Sequence, residues 1–190
     1  MSKTSIFTAT YNEKENIKKL IENLNALNLN IDILVIDDNS PDKTWEILKN
    51  LEKKTENLKL IVRDNKSGLD TAHKLAFNYA KDNNYEKFIS MDADLSHDPD
   101  EIPKMINILN KSSFVIGSRY IEGGKCDMKS SRLILSNLGN KFIKSILKID
   151  CNEFTTSYRG FNLLRLDSFS LNIIKSRGYS FFMELSLIHI

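Results

Sequence analysis

Short apolar runs alternate with amphipathic helical patterns from the first residues onward, and this alternation most narrows the folds open to the chain. Ser5–Ala9, Ile31–Ile36, Leu58–Val62 and Lys87–Met91 read as strands, with helices expected over Glu13–Leu27, Thr44–Lys54 and Thr71–Lys81. In the first helix Ile17, Leu20, Ile21, Leu24 and Leu27 recur with helical period, and Asn12 stands three residues before Glu15, the spacing of a capping box. Asn39-Ser40-Pro41-Asp42 carries Asx and proline turn chemistry and leads into a second amphipathic run with Trp45, Leu48 and Leu51. Regular βα alternation predicts an α/β domain with a mostly parallel central sheet covered on both faces.

The pattern continues through a helix near Asp100–Leu109 and a strand at Phe114–Gly117, then changes character. Residues 119–130 read as a polar loop containing Gly123-Gly124. Residues 131–148 read as a basic amphipathic helix with Leu135, Leu138, Phe142 and Ile146 on one stripe. Periodicity does not separate strand from helix over 154–164 and 179–188. The 190 residues suit one domain, with 1–118 and 119–190 as its two halves, and the apolar ending suggests a cut C-terminus.

No apolar run approaches the ~18 residues of a membrane span, and the N-terminus has no secretory pattern, so a cytoplasmic location is expected. Cys126 and Cys151 form no CxxC or dense framework, which suits reduced thiols. Basic charge is concentrated between Arg119 and Lys148, where seven Lys/Arg meet only Glu122 and Asp127. Such a block suits either an anionic surface or a solvated helix face.

Asp92-Ala93-Asp94 follows the apolar run that reads as the fourth strand. Two carboxylates at a strand's carboxyl edge can hold Mg²⁺ or Mn²⁺ against a diphosphate, because hard cations take oxygen ligands and complete their shell with water and phosphate. The same pair would also serve to cap the helix that follows. Tyr11, Glu13, Asp37 and Asp38 lie past the first two strands, on the same crevice side, where carboxylates can accept from base N–H or ribose hydroxyls. As isolated residues they also read as helix N-terminal charges.

Thr10-Tyr11-Asn12-Glu13-Lys14-Glu15-Asn16, the run Val35 to Thr44, Ser67-Gly68-Leu69, Met91 to His97, Ile116 to Tyr120, Ser131-Arg132 through Asn137 and Glu153 to Phe161 occur in that order. Together they resemble the polyprenol-phosphate sugar transferases of glycosyltransferase family 2. The departures are Ala9 for a proline, Asp70 for the second glycine of a G-L-G step, Asp98 for the proline after His97, and Glu153, Phe154 and Ser157 for an aspartate, a proline and a glycine.

The resemblance implies a GT-A-type, Rossmann-like domain that moves a sugar, mannose or glucose, from a GDP- or UDP-sugar to a polyprenyl phosphate with inversion. The protein would then be peripheral at the cytoplasmic face of the membrane, with no nucleic-acid partner. It implies Thr10, Tyr11, Glu13, Asp37, Asp38, Lys66 and Gly68 at the nucleotide. Asp94, Asp92 and Ser96 would hold Mg²⁺ or Mn²⁺, and Arg119, Arg132 and Arg159 would meet the acceptor phosphate. A bidentate guanidinium suits that task, although each arginine also reads as an ordinary surface residue. His97 reads as a base, a ligand or a structural residue. The chain contains no glutamine, which removes the Q-x-x-R-W motif of processive polysaccharide synthases. Two other readings remain: a family-2 transferase acting on a saccharide hydroxyl in surface polysaccharide synthesis, and a non-catalytic nucleotide-sugar binder.

Overall fold

A computed structural model describes residues 3–118, 151 and 153–188. The helix expected over 131–148, Arg119, Arg132 and Cys126 lie outside the described residues. Six strands form one sheet: β1 (Thr4–Thr10), β2 (Ile31–Asp37), β3 (Leu58–Val62), β4 (Lys87–Ser90), β5 (Phe114–Ile116) and β6 (Arg159–Asn162), in the order β3-β2-β1-β4-β6-β5. The pairs β1–β2, β1–β4 and β2–β3 are parallel, while β6 runs antiparallel to both β4 and β5. Residues beyond 150 thus complete the same sheet rather than form a second one.

The helices are α1 (Ile17–Ala26), α2 (Thr44–Glu52), α3 (Leu69–Asp82), α4 (Ile102–Leu109) and α5 (Tyr179–Ile188), with short 3₁₀ turns at Pro99–Glu101 and Leu171–Ile173. The helix expected from Glu13 starts at Ile17 instead. Asn12 takes a left-handed φ of 64°, and Asn16, which precedes the helix, makes no side-chain cap bond, so the capping box does not form. The two ambiguous tracts resolve into β6 and α5.

Successive strand residues face opposite layers, the period-2 rule that buries both sides of a central strand. Ile6, Ile33, Val35 and Ile89 join Leu20, Leu24, Leu48, Ile102 and Met105 in one core. Phe7, Leu34, Ile36, Phe88 and Phe161 join the residues of α3 and α5 in the other. Ala72, Ala76 and Ala80 recur at four-residue spacing along α3 and let it sit close to the sheet, where Phe77 meets Phe88 and Phe161 edge-on at 5.7 and 5.4 Å. On the other face, a Cβ at Gly160 would come within 2.7 Å of the Val115 and 2.9 Å of the Leu109 side chain, so any other residue there would force these neighbours to shift.

His73 is sealed inside the second core. Its Nδ1–H donates to the Leu69 carbonyl at 2.9 Å, and its ring meets the rings of Phe7 and Phe182 near right angles at 5.0 Å. Burial pushes its pKa down from 6.5 to about 4. The unfolded chain therefore binds a proton that the folded chain refuses between those values. Stability is full above pH 6.5 and falls with pH down to about 4, by up to ~1.4 kcal/mol per pH unit. Urea midpoints measured from pH 7 to pH 4.5 should show this slope, and His73→Leu should flatten it; an unchanged slope would assign acid sensitivity to other groups.

Candidate functional site

The chain winds outward from β1 to β3 and then returns to place β4 on the other side of β1. Such a switch point opens a crevice beyond the carboxyl ends of the strands. Thr10-Tyr11 leaves β1 there, Asp37-Asp38 leaves β2, and Asp92-Ala93-Asp94 follows β4 after Met91, whose N–H extends the ladder to the Phe7 carbonyl at 2.9 Å.

The loops after β1 and β2 are joined by side chains. Thr10 Oγ1 donates to Asp37 Oδ2 (2.7 Å), Asn12 N–H to Ser40 Oγ (3.0 Å), and Glu13 N–H to Thr44 Oγ1 (3.0 Å). Asp37 also accepts from Ser40 N–H and Oγ and is wholly buried. Asp37, expected at the nucleotide, thus has three protein donors on its oxygens and no contact with solvent in this structure. Asp38 is the carboxylate nearer solvent, paired with Arg63 and accepting from Ser67 N–H at 3.2 Å. Arg63 binds it through Nε and reaches Thr71 Oγ1 and the Gly68 carbonyl, so one guanidinium ties the ends of β2 and β3 to the start of α3. Tyr11 is 37% exposed, and Lys66 Nζ lies 3.8 Å from its ring centroid. The Glu13 carboxylate accepts from Asn16 Nδ2. Gly68 adopts φ 96° immediately before α3, a conformation that a side chain would strain.

Asp92 and Asp94 do not cap the following turn. Asp98 does so, accepting Asp100 N–H at 3.1 Å. Asp94 is exposed and accepts Ser96 N–H at 3.0 Å, in a loop where Leu95 holds a φ of 63°. The Asp92 side chain is 42% exposed; Ser157 Oγ donates to its Oδ1 at 2.5 Å, and its N–H donates to His97 Nδ1 at 3.0 Å. That bond leaves the imidazole proton on Nε2, which faces Thr156 Oγ1 at 3.3 Å and Asp92 Oδ2 at 3.7 Å. His97 stacks on Tyr158 at 4.8 Å and is nearly buried, so it positions the loop rather than reaching a ligand. Burial and the nearby Glu101, Asp98 and Asp100 push the Tyr158 phenol up, and its hydroxyl donates to the Asp98 carbonyl at 2.8 Å.

Arg159, expected at an acceptor phosphate, lies inside the fold in this structure. It is completely buried, with Nε donating to the Thr156 carbonyl (2.7 Å) and Nη2 to the Phe154 carbonyl (3.0 Å). Its guanidinium lies over the rings of Phe114 and Phe182, and burial lowers its pKa to about 10, which leaves it charged at neutral pH. It acts from inside, fixing the 154–158 segment whose Thr156 and Ser157 meet His97 and Asp92. Arg63, Thr156 and Ser157 were not foreseen. Arg63 leaves the signal of a cation directly after a strand that ends at the crevice, and Thr156 and Ser157 lie within the family-like run Glu153 to Phe161.

The arrangement fits a hard divalent cation. Asp92 and Asp94 stand two residues apart at an exposed strand end, and each binds the protein through its Oδ1. No group of three His, Cys, Asp or Glu residues able to hold a metal exists among the described residues, so water and phosphate would have to supply the other ligands, as Mg²⁺ and Mn²⁺ permit.

Undecaprenyl-phosphate mannosyltransferase of Micrococcus luteus is 30% identical over 178 residues, covering 93% of this chain and 73% of that protein. Dolichol-phosphate mannosyltransferase of Pyrococcus furiosus is 37% identical over 189 residues, 96% of this chain and 52% of that protein. Among solved structures, the mannosyltransferase PcManGT from Pyrobaculum calidifontis, in complex with GDP-Man and Mn²⁺, superposes with a TM-score of 0.56 at 16% identity, covering 87% of this chain and 46% of the other. The chain thus spans about half the length of the last two, and the structural likeness establishes a GT-A fold. The model of glycosyl transferase family 2 matches residues 5–169, and the chain belongs to that family.

Proposed function

We propose that the protein transfers a hexose, mannose being the first sugar to test, from a nucleoside diphosphate to a polyprenyl phosphate. The observation that carries this reading is the exposed Asp92/Asp94 pair at the switch-point crevice, in a chain that resembles enzymes named for undecaprenyl-phosphate and dolichol-phosphate mannosyl transfer. Asp92 and Asp94, with Ser96 beside them, would hold Mg²⁺ or Mn²⁺, whose chemistry is to offset the charge of a departing diphosphate. Tyr11 and Lys66 offer a ring and a cation to the nucleotide, Asp38 an oriented carboxylate, and the Gly68 step opens the N-terminal amides of α3 to phosphate.

A phosphate acceptor suits the carboxylates and imidazole near this site. A hydroxyl acceptor needs a base to take its proton, whereas a phosphate monoester, with a second pKa near ~6, is already mostly ionised at neutral pH. His97 is bound to the Asp92 amide, and Glu153 is buried and accepts from Thr155. The Glu184 carboxyl is held below its usual range by hydrogen bonds from Ser176. Arg119 and Arg132 are the cations proposed for the acceptor. The basic stretch that contains them suits an anionic membrane surface at the cytoplasmic face, and no helix among the described residues is long and apolar enough to cross a membrane.

The test is transfer from GDP-mannose or UDP-glucose to a short polyprenyl phosphate. Arg132→Ala should cut transfer roughly tenfold or more while leaving GDP affinity within about twofold, since a lost phosphate contact acts on one substrate only. Better transfer to a free polyprenol or a saccharide would replace this reading with the hydroxyl-acceptor one.

A further inference from the structure

Asp70 stands where the resembling enzymes have a glycine, and it places a carboxylate in the first turn of the helix proposed to receive the diphosphate. A negative charge there would oppose the ligand unless the protein engages it. The residue is 5% exposed, and its Oδ1 accepts the N–H of Gly178 at 3.3 Å, from a segment more than a hundred residues later in the chain. Gly178 has a φ of 58°, yet a Cβ there would meet nothing within 4 Å, so backbone conformation rather than space calls for glycine. Across the carboxylate stands Gly68, whose Cβ would lie 3.1 Å from the same Oδ1. Two glycines in left-handed or related conformations thus flank one buried carboxylate.

The segment ending at Gly178 is tied down along its length. Lys74 Nζ donates to the Ile174 carbonyl at 2.7 Å, and the N–H groups of Lys175 and Ser176 donate to the two oxygens of Glu184 at 3.2 and 2.8 Å. Its own cations are left over: Lys175 and Arg177 are exposed, and neither makes an ion pair among the described residues. Arg177 lies one peptide, ~3.8 Å between Cα atoms, from the residue that Asp70 holds.

We infer that Asp70 is a positioning residue: by holding Gly178 against the first turn of α3, it sets Arg177 at the phosphate-binding end of that helix. The inference rests on the nucleotide reading above. The acid near the diphosphate then serves to place a cation rather than to repel the ligand.

A double-mutant cycle on the full chain tests this, with GDP affinity measured by calorimetry in Mn²⁺ and the KM for polyprenyl phosphate measured alongside. Arg177→Ala and Asp70→Ala should each weaken GDP binding about tenfold, and the double variant should be no weaker than either alone, because the arginine acts only while the segment is held. Asp70→Asn keeps an acceptor oxygen for Gly178 N–H and should stay within about twofold of the original. Should Asp70→Ala fail to fold, Asp70→Ser takes its place, with the same expectation. A loss confined to the KM for polyprenyl phosphate would place Arg177 at the acceptor and overturn the assignment to the donor. Additive losses, or tighter GDP binding in Asp70→Ala as simple repulsion predicts, would overturn the inference while the nucleotide reading stands. If the unaltered chain binds neither GDP nor UDP, both fall together.

Discussion

Asp94→Asn should abolish the metal-dependent part of nucleotide binding and reduce sugar transfer by about 10²–10³-fold, with little change in the melting temperature of the free protein. The large effect follows from the cation that the carboxylate would hold: a divalent ion would offset the charge of a diphosphate leaving group, and electrostatic stabilisation at one well-placed position has that magnitude. The small effect on folding follows from the residue's surroundings. Asp94 is exposed and accepts one local N–H, from Ser96, a bond that asparagine's oxygen can keep. For the original protein, GDP at about 100 times its Kd in Mn²⁺ should add about 2.7 kcal/mol, or roughly 5–10 °C in Tm at this chain length. In EDTA most of that increment should vanish, and in Asp94→Asn it should be small with or without the ion. Asp92→Asn should be less clean, because Asp92 also accepts Ser157 Oγ and its N–H is bonded to His97. A full Mn²⁺ increment in Asp94→Asn would remove this residue from the metal site and leave the pair without the role that carries the functional reading.

What could be read from the sequence follows the reach of the interactions involved. The parallel strands and the helices between them were legible because each declares itself in a few neighbouring residues: Ile6 against Phe7, or Ile33 and Val35 against Leu34 and Ile36, encode two buried faces locally. The late start of α1 was not legible, since Asn12 is held in a left-handed turn by Ser40 and Asp42, partners about thirty residues away. The strand β6 was hidden for a similar reason. Its Arg159-Gly160-Phe161-Asn162 carries no alternation, and its place between β4 and β5 is decided by long-range pairing and by the close approach that Gly160 allows. At the site, motif order located the crevice but could not rank its acids. Asp37 and Asp38 are adjacent in sequence, yet one is consumed by Thr10 and Ser40 and the other faces Arg63. Only the direction of the chain at the end of β2 separates them.

Replacing Arg159 by alanine should act first on folding, which separates its observed role from the acceptor-binding role that its motif suggests. The side chain is fully enclosed, and two of its N–H groups are the donors to the carbonyls of Thr156 and Phe154. Alanine leaves both carbonyls buried without those donors, at about 1–3 kcal/mol each, and opens a cavity between Phe114 and Phe182. Relief from burying the charge offsets part of this cost, as the lowered pKa of about 10 indicates. A net loss of about 4 kcal/mol is expected, or roughly 8–16 °C in Tm for a chain of this size. Arg159→Lys should recover only part of it, because one ammonium cannot reproduce the planar fork that serves both carbonyls. The damage should then travel a defined route. With the 154–158 segment loosened, Ser157 no longer steadies Asp92 and Thr156 no longer faces His97, so the folded fraction should bind Mn²⁺-GDP more weakly even before any acceptor is added. A surface contact to a lipid phosphate predicts the reverse: unchanged Tm, unchanged GDP affinity and a raised KM for polyprenyl phosphate alone. Thermal melts and GDP titrations of the three proteins distinguish these outcomes, and the second pattern would return Arg159 to the acceptor site.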